Sequence, residues 1–197
     1  MGKKIGITGG IGAGKSIVSR LLRLKGFTVY DCDSAARSLM EQDPEVRDDL
    51  TNLLGQDAFR DNHLNRQFVA ERIFGDKDLR ERVNKVVHKA VREDFLRMTE
   101  REEGIVFIES AIPVTGGLVP LMDEIWVVEA DEATRIERVK KRNGLSEDQI
   151  VARIKTQQEE FDSLPAEKTR YIDNDGESSL ILAVERLLQD RGENRKE

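Results

Sequence analysis

Residues 5–16 read IGITGGIGAGKS, and this stretch decides the fold class. Its first four residues form a short apolar segment that runs directly into glycines. Apolar residues then recur at helical spacing from Ile17 to Leu24, with Gly26 after them as a stop. The stretch therefore predicts a strand, a glycine loop and a helix in immediate succession.

The glycine loop has the spacing G-x-x-x-x-G-K-[ST] of a P-loop, carried by Gly9, Gly14, Lys15 and Ser16. Glycines let the backbone approach phosphates closely, and N–H groups at the start of a helix donate to the phosphate oxygens. We expect Lys15 to reach the β- and γ-phosphates and the Ser16 hydroxyl to ligate Mg²⁺. An accidental match is the alternative, but the motif lies between a strand and a helix, as a P-loop requires. The residues expected to contact ATP here are Gly9, Gly10, Ile11, Gly12, Ala13, Gly14, Lys15 and Ser16.

Strands and helices continue to alternate along the chain. Residues 27–30 predict a second strand, which completes a βαβ unit. The continuous apolar runs at residues 105–108 and 125–128 are typical of strands buried on both faces of a parallel sheet, and Tyr171 with Ile172 indicates one more short strand. We therefore predict a three-layer α/β fold of the P-loop type, with a parallel sheet of about five strands.

Two helical segments interrupt this core. Residues 34–103 have helical patterns and no convincing strand, so we interpret them as a helical insert that binds the acceptor. Further on, Asp131 is the expected N-cap of a basic helix that stops at Gly144, and Ser146 with Gln149 forms a capping box for the next helix. Because these two helices are rich in arginine and lysine, residues 135–165 suit a lid. We expect one domain of residues 1–197, with its core at about 1–33, 104–134 and 170–190.

Composition excludes several classes of function. The net charge of −6 gives no global basic footprint for nucleic acid, and no apolar run approaches the roughly 18 residues of a membrane span. The single cysteine, Cys32, cannot form an internal disulfide, which fits a reducing compartment. We expect a cytoplasmic monomer that binds neither nucleic acid nor a membrane.

A P-loop alone does not distinguish switches, transporters and kinases. The chain has no Asn-Lys-x-Asp guanine motif, because Val86 and Val87 follow Asn84 and Lys85, and it has no LSGGQ signature. A D-x-x-G match at residues 173–176 comes too late in the chain for a switch loop. A kinase is therefore favoured over a GTPase or a transporter.

The acidic pair after the second strand points to phosphoryl transfer. Asp31 and Asp33 follow the carboxyl end of that strand, where ligands bind in open α/β sheets. A carboxylate there can accept the proton of an attacking hydroxyl. Either acid could instead cap the helix that starts near Ser34. On position we favour Asp33 for catalysis.

These residues resemble the dephospho-CoA kinase family over nearly the whole chain. Its loop T-G-G-I-G-S-G-K-S is similar to residues 8–16, and its D-A-D-x-x-A-R is similar to residues 31–37 at the same distance from the loop. Residues 72–74 resemble the family's R-x-x-I-F region, residues 83–88 its L-N-x-x-x-H helix, and residues 172–176 its I-D-N-x-G segment. The spaced arginines and glutamine of the family lid are matched by Arg138, Arg142, Arg153 and Gln157.

The resemblance implies transfer of the γ-phosphoryl group of ATP to the ribose 3′-hydroxyl of dephospho-CoA, the last step of coenzyme A synthesis, with Mg²⁺ bound to ATP. It implies that Asp33 is the general base and that Lys15 and Arg142 stabilise the transferring group. The further residues implied to contact ATP are Arg138, Arg142, Asn174 and Gly176. Those implied to hold the acceptor are Thr8, Asp33, Arg37, His88 and Gln157, although His88 by itself is typical of a helix core or edge.

The chain departs from the family in the segment after its third strand. The family has P-L-L-F-E where this chain has SAIPVT at residues 110–115, without the final glutamate, and Lys89 replaces the proline after His88. These differences concern acceptor binding more than the phosphoryl chemistry. Two alternatives remain: another small-metabolite or nucleoside kinase, and a nucleotide-dependent switch that turns ATP over slowly.

Overall fold

The computed structural model describes residues 2–176 and 178–190. These residues divide into two compact units: the first takes in the chain up to Tyr30 and from Glu102 onward, and the second spans Asp31–Arg101. The predicted domain of residues 1–197 also includes Met1, Glu177 and residues 191–197, which lie outside the described residues.

The first unit is built on a five-stranded sheet in the order β2-β5-β1-β6-β7. β1 pairs in parallel with both β5 and β6, and β6 pairs in parallel with β7. Its strands are β1 (Lys4–Thr8), β2 (Thr28–Asp31), β5 (Val106–Glu109), β6 (Glu124–Glu129) and β7 (Thr169–Asp173). The predicted three-layer α/β fold with five parallel strands is confirmed.

The described residues of this unit form four helices: α1 (Lys15–Leu24), α6 (Glu132–Asn143), α7 (Glu147–Asp162) and α8 (Leu180–Gln189). One face of the sheet forms the main core with α1 and α8, because alternate strand residues such as Ile5, Ile7 and Trp126 pack with Val18 and Val184. Two short 3₁₀ turns, Val119–Leu121 and Ala166–Lys168, precede β6 and β7.

The second unit has four helices, α2 (Cys32–Gln42), α3 (Pro44–Leu54), α4 (Arg66–Ile73) and α5 (Lys77–Thr99). Its own small core joins α3 to α5 and contains buried Leu50, Leu54, Leu79 and Val83. In the part of the chain that the structure describes, no helix is long and apolar enough to cross a membrane.

The prediction of an insert without strands was wrong. After the 3₁₀ turn Gln56–Ala58, the second unit contains an antiparallel hairpin of β3 (Phe59–Arg60) and β4 (His63–Leu64). Asp61 and Asn62 connect the strands with φ values of 51° and 66°, the left-handed pair that a type I′ turn requires. Two-residue strands are too short to give an alternating pattern, so the sequence did not predict them.

Most element ends shift by one to three residues from the predicted ones. The second strand begins at Thr28 and extends to Asp31, and the following helix begins at Cys32, two residues before Ser34. The predicted caps of the basic helices are confirmed. Asp131 accepts from Thr134 N at 2.9 Å, and Ser146 and Gln149 form a reciprocal capping box.

Candidate active site

The loop between β1 and α1 is a left-handed glycine turn that opens onto a helix N-terminus. Gly9, Gly12 and Gly14 have φ values of 148°, 80° and 107°, a region that other residues rarely adopt. Gly14 is the N-cap of α1; among the described residues no side chain caps this helix, and its first turn contains no acid. The first turn of α1 therefore does not neutralise the positive end of its own helix dipole, which suits a phosphate.

Lys15 lies over this loop. Its Nζ donates to the carbonyl oxygen of Gly9 at 2.6 Å, so the first residue of α1 places its charge back at the start of the loop. Ser16 follows in the first turn of α1 and is exposed. The two residues expected to act on ATP and its metal thus lie at the mouth of the loop.

Two of the residues predicted to contact ATP form hydrogen bonds to the backbone of this loop. Asn174, buried just after β7, donates from Nδ2 to Ala13 O at 2.7 Å. Arg138 of α6 donates to Asn174 O at 2.8 Å and to Gly12 O at 3.5 Å. Gly176 ends this connection with φ of 104°. Loop, strand end and basic helix therefore form one hydrogen-bonded group.

Arg135 is a site residue that the sequence reasoning did not single out. Its Nε donates to Ile11 O at 2.9 Å, and its Nη2 is 2.1 Å from the position that a Cβ on Gly10 would occupy. Nη2 is buried without a hydrogen-bond partner among the described residues. The available signal was the spacing 135, 138, 142, which places three arginines on one face of a helix.

The carboxylates around Arg135 shape the electrostatics of this edge of the sheet. Glu129 and Asp173 are neighbours in the register of β6 and β7. Burial raises the pKa of Glu129, the Asp173 carboxylate raises it further, and Arg135 lowers it. Burial lowers the pKa of the Arg135 guanidinium, while Glu132 and Glu129 oppose that change. Glu132 in the first turn of α6 and Glu129 at the end of β6 thus favour a charged guanidinium on the glycine loop.

Gln157 also contacts the loop. Its Oε1, on α7, accepts from Ile11 N at 2.8 Å, so residue 11 is held through its N–H by α7 and through its carbonyl by α6. The role expected for Gln157, binding the acceptor, stays a prediction. Thr8, which was also expected to bind the acceptor, is buried at the end of β1, and its hydroxyl has no hydrogen-bond partner within the described ranges. Arg142 is exposed in the last turn of α6.

The other predicted acceptor residues lie in the second unit. Asp31 is the N-cap of α2 and accepts from Ser34 N at 3.0 Å. Asp33 is exposed in the first turn of that helix, so the structure assigns the capping role to Asp31. Arg37 lies one turn further on the same face and donates to Ser34 Oγ at 3.4 Å. His88 is half-buried in α5.

Because α6 lies close to the loop, we expect a side chain at Gly12 to lower the stability of the folded protein. A Cβ there would lie 2.6 Å from Arg135 O, whereas a Cβ on Gly144, with a similar φ of 63°, would meet nothing within 4 Å. Gly144→Ala should lower the free energy of unfolding by about 1–2 kcal/mol, the usual cost of left-handed backbone for a residue with a Cβ.

Gly12→Ala should cost about 1–3 kcal/mol more than Gly144→Ala, because α6 must also move away. Urea unfolding of both variants at one temperature measures the difference. Equal losses would mean that α6 does not constrain the loop.

The chain is similar to known proteins over most of its length. The family model described as dephospho-CoA kinase matches residues 3–179. A dephospho-CoA kinase of Porphyromonas gingivalis is 39% identical over 186 residues, which cover 94% of this chain and 92% of that protein.

Two solved structures are similar along almost their full length. A protein from Thermus thermophilus is 29% identical with a TM-score of 0.76, and 96% of each chain is covered. A dephospho-CoA kinase from Campylobacter jejuni is 17% identical with a TM-score of 0.69 and covers 97% of this chain and 98% of its own. At that identity the second structure supports the fold alone.

Proposed function

The chain belongs to the dephospho-CoA kinase family, and we propose that it moves the γ-phosphoryl group of ATP to the ribose 3′-hydroxyl of dephospho-CoA. The family catalyses the last step of coenzyme A synthesis, so the chain is an ATP-dependent kinase. The observation that carries the proposal is the glycine loop, held at Ile11, Gly12 and Ala13 by side chains of α6, α7 and the segment after β7.

The loop and its cations suit the transferring group. In phosphoryl transfer the protein mainly positions the reactants and stabilises the charge on the equatorial oxygens. Lys15 and Arg138 have donors at the loop, and Arg142 lies one turn beyond Arg138 on the same helix. We assign Lys15 and Arg142 to the transferring phosphoryl group and Arg138, Asn174 and Gly176 to ATP. A local concentration of cations allows a protein of net charge −6 to bind two polyanions.

Asp33 is the proposed general base. Because Asp31 caps α2, the Asp33 carboxylate is not needed for that purpose. In the proposed reaction the 3′-hydroxyl gives its proton to this carboxylate as its oxygen forms a bond to the γ-phosphorus. The bond between that phosphorus and the oxygen of ADP breaks. Arg37 and His88 are proposed to hold the acceptor, together with Thr8 and Gln157.

Ser16 fits a magnesium ion that arrives with ATP. Its hydroxyl offers a hard oxygen ligand in the exposed first turn of α1. The described residues contain no cluster of three or more His, Cys, Asp or Glu that could hold a metal unaided. Mg²⁺ commonly uses few protein ligands and keeps waters and substrate phosphates as the others, so one hydroxyl beside the phosphate loop is compatible with it. When bound, the ion would neutralise charge on the phosphate oxygens.

The test is release of ADP from purified protein with Mg-ATP and one acceptor at a time. The acceptors are dephospho-CoA, adenosine, a nucleoside monophosphate and shikimate, with a reaction lacking acceptor as the baseline. Stimulation by dephospho-CoA alone is expected, and phosphorus NMR of the product should place the new phosphate on the ribose 3′-oxygen.

The other outcomes separate the alternatives. If a different acceptor stimulates release of ADP, the chain is still a P-loop kinase, but dephospho-CoA is rejected as its substrate. ATP binding without stimulation by any acceptor would favour a nucleotide-dependent switch.

A further inference from the structure

Glu160 is a buried acid at an unexpected position. It lies in the last turn of α7 and is 7% exposed. A carboxylate near the C-terminus of a helix is disfavoured by the helix dipole, and burial of its charge costs free energy unless strong hydrogen bonds compensate. None of the roles assigned above to the active site uses this residue.

The donors to Glu160 come from the turn that follows β5. Val114 N donates to one carboxylate oxygen at 2.9 Å, Thr115 N donates to both at 3.1 and 3.2 Å, and the Thr115 hydroxyl donates as well. The turn is otherwise closed by its own backbone bonds, from Gly116 N to Ile112 O and from Leu118 N to Pro113 O. Glu160 therefore receives the N–H groups that point away from the turn.

This turn and the glycine loop leave the sheet at the same edge. β5 and β1 are parallel neighbours, and Ser110 N donates to Ile7 O at 3.0 Å directly before both strands end in their loops. The segment that departs from the family pattern thus follows the strand beside the one that leads into the glycine loop.

One face of α7 contacts both loops. Gln157 and Glu160 are three residues apart, so they lie on the same side of the helix. Gln157 accepts from Ile11 N in the glycine loop, and Glu160 accepts from the turn after β5. Above them, Ile150 and Ile154 pack with Val139 of α6 and with Ile11. The C-terminal half of α7 is therefore bound to the turn after β5 through the Glu160 carboxylate, and it contacts the backbone of the glycine loop through Gln157.

We propose that Glu160 is a positioning residue for the phosphate-binding loop. By fixing the turn at residues 113–117 to α7, it seats Gln157 on Ile11 and holds the glycine loop in the conformation that receives ATP. The inference rests on the proposed function in that the loop binds ATP, but it does not depend on which acceptor is used.

The test measures ATP affinity by calorimetry in the whole protein, beside the free energy of unfolding from urea titration. Glu160→Gln keeps the size of the side chain and replaces one acceptor oxygen with an NH2 group, which cannot accept. It should raise the Kd for ATP about 2- to 30-fold, the range for residues that modulate coupling without touching the ligand. Glu159→Gln, the same change on the exposed neighbour, is the matched control and should leave this Kd unchanged.

A double-mutant cycle with Gln157→Met separates positioning from mere stability. Both residues act through Ile11 in this proposal, so the double variant should bind ATP no more weakly than the weaker single variant. Thr115→Val, which keeps the backbone donors, is the milder substitution if Glu160→Gln fails to fold, and it should raise the Kd in the same direction.

Three results would overturn the inference. The first is an unchanged Kd for ATP in a Glu160→Gln protein that is less stable than the wild type. If only Thr115→Val folds, the same result in that variant counts. The second is a double variant of Glu160→Gln and Gln157→Met whose rise in Kd equals the product of the rises in the two single variants. The third is an equal rise in Kd in Glu159→Gln. A wild-type protein that fails to bind ATP would instead reject the proposed function.

Discussion

Asp33→Asn should lower kcat by about 10² to 10⁴, the range for loss of a general base, and should leave the Kd for ATP unchanged. The amide keeps the size of the carboxylate but cannot take the proton of the acceptor hydroxyl. Steady-state kinetics with saturating ATP and dephospho-CoA, beside an ATP titration, measures both quantities.

The matched control for Asp33→Asn is Asp31→Asn, two residues earlier. Asp31 caps α2 through its bond from Ser34 N, and asparagine is an equally good N-cap. The control variant should therefore keep near-wild-type kcat and stability. A parallel loss of ATP affinity and turnover in Asp33→Asn would assign Asp33 to metal or nucleotide binding and reject it as the base.

Lys15→Met should lower kcat by about 10² to 10³, because in the proposed reaction it removes a cation from the group on which negative charge develops. It should also raise the Kd for ATP, since the ammonium that lies at Gly9 O is expected to contact the phosphates in the ground state as well. Methionine keeps most of the length and the apolar stem of lysine, so the effect reports the charge.

Lys25→Met serves as the control for Lys15→Met. Lys25 caps the other end of α1 and forms a partly exposed ion pair with Glu185 at 2.6 Å, an interaction of a class with little net effect on stability. Loss of this ion pair should leave kcat within a factor of about two of the wild-type value, consistent with the small energies of such pairs. If the two variants were equally active, Lys15 would have no role in the transfer.

The pattern in the sequence predicted the elements whose signals are local. The P-loop is one continuous stretch, because a strand, glycines and a helix N-terminus must follow one another to cradle phosphates. Asp131 and Ser146 were predicted as caps because a cap bonds within its own first turn. The hairpin at Asp61 and Asn62 was missed because its strands are too short for a period of two.

The contacts of the glycine loop with distant segments were predicted only in part. Arg138 and Asn174 were expected at ATP from the resemblance, and the structure places both on the glycine loop. Arg135 shares a helix face with Arg138 and Arg142, but this spacing does not tell which arginine of a basic helix turns inward. Its partner Ile11 is 124 residues away in the chain.

The sequence by itself determined the fold class and the family, because alternating strands and helices and motifs of fixed spacing are visible along the chain. Only the tertiary structure decided that Asp31 rather than Asp33 caps α2, that Gln157 contacts Ile11, and that Glu160 holds the turn after β5. Two neighbouring acids satisfy the same capping rule, so sequence could not choose between them. The bonds of Gln157 and Glu160 join segments 146 and 46 residues apart, and chain folding alone brings such groups within hydrogen-bond distance.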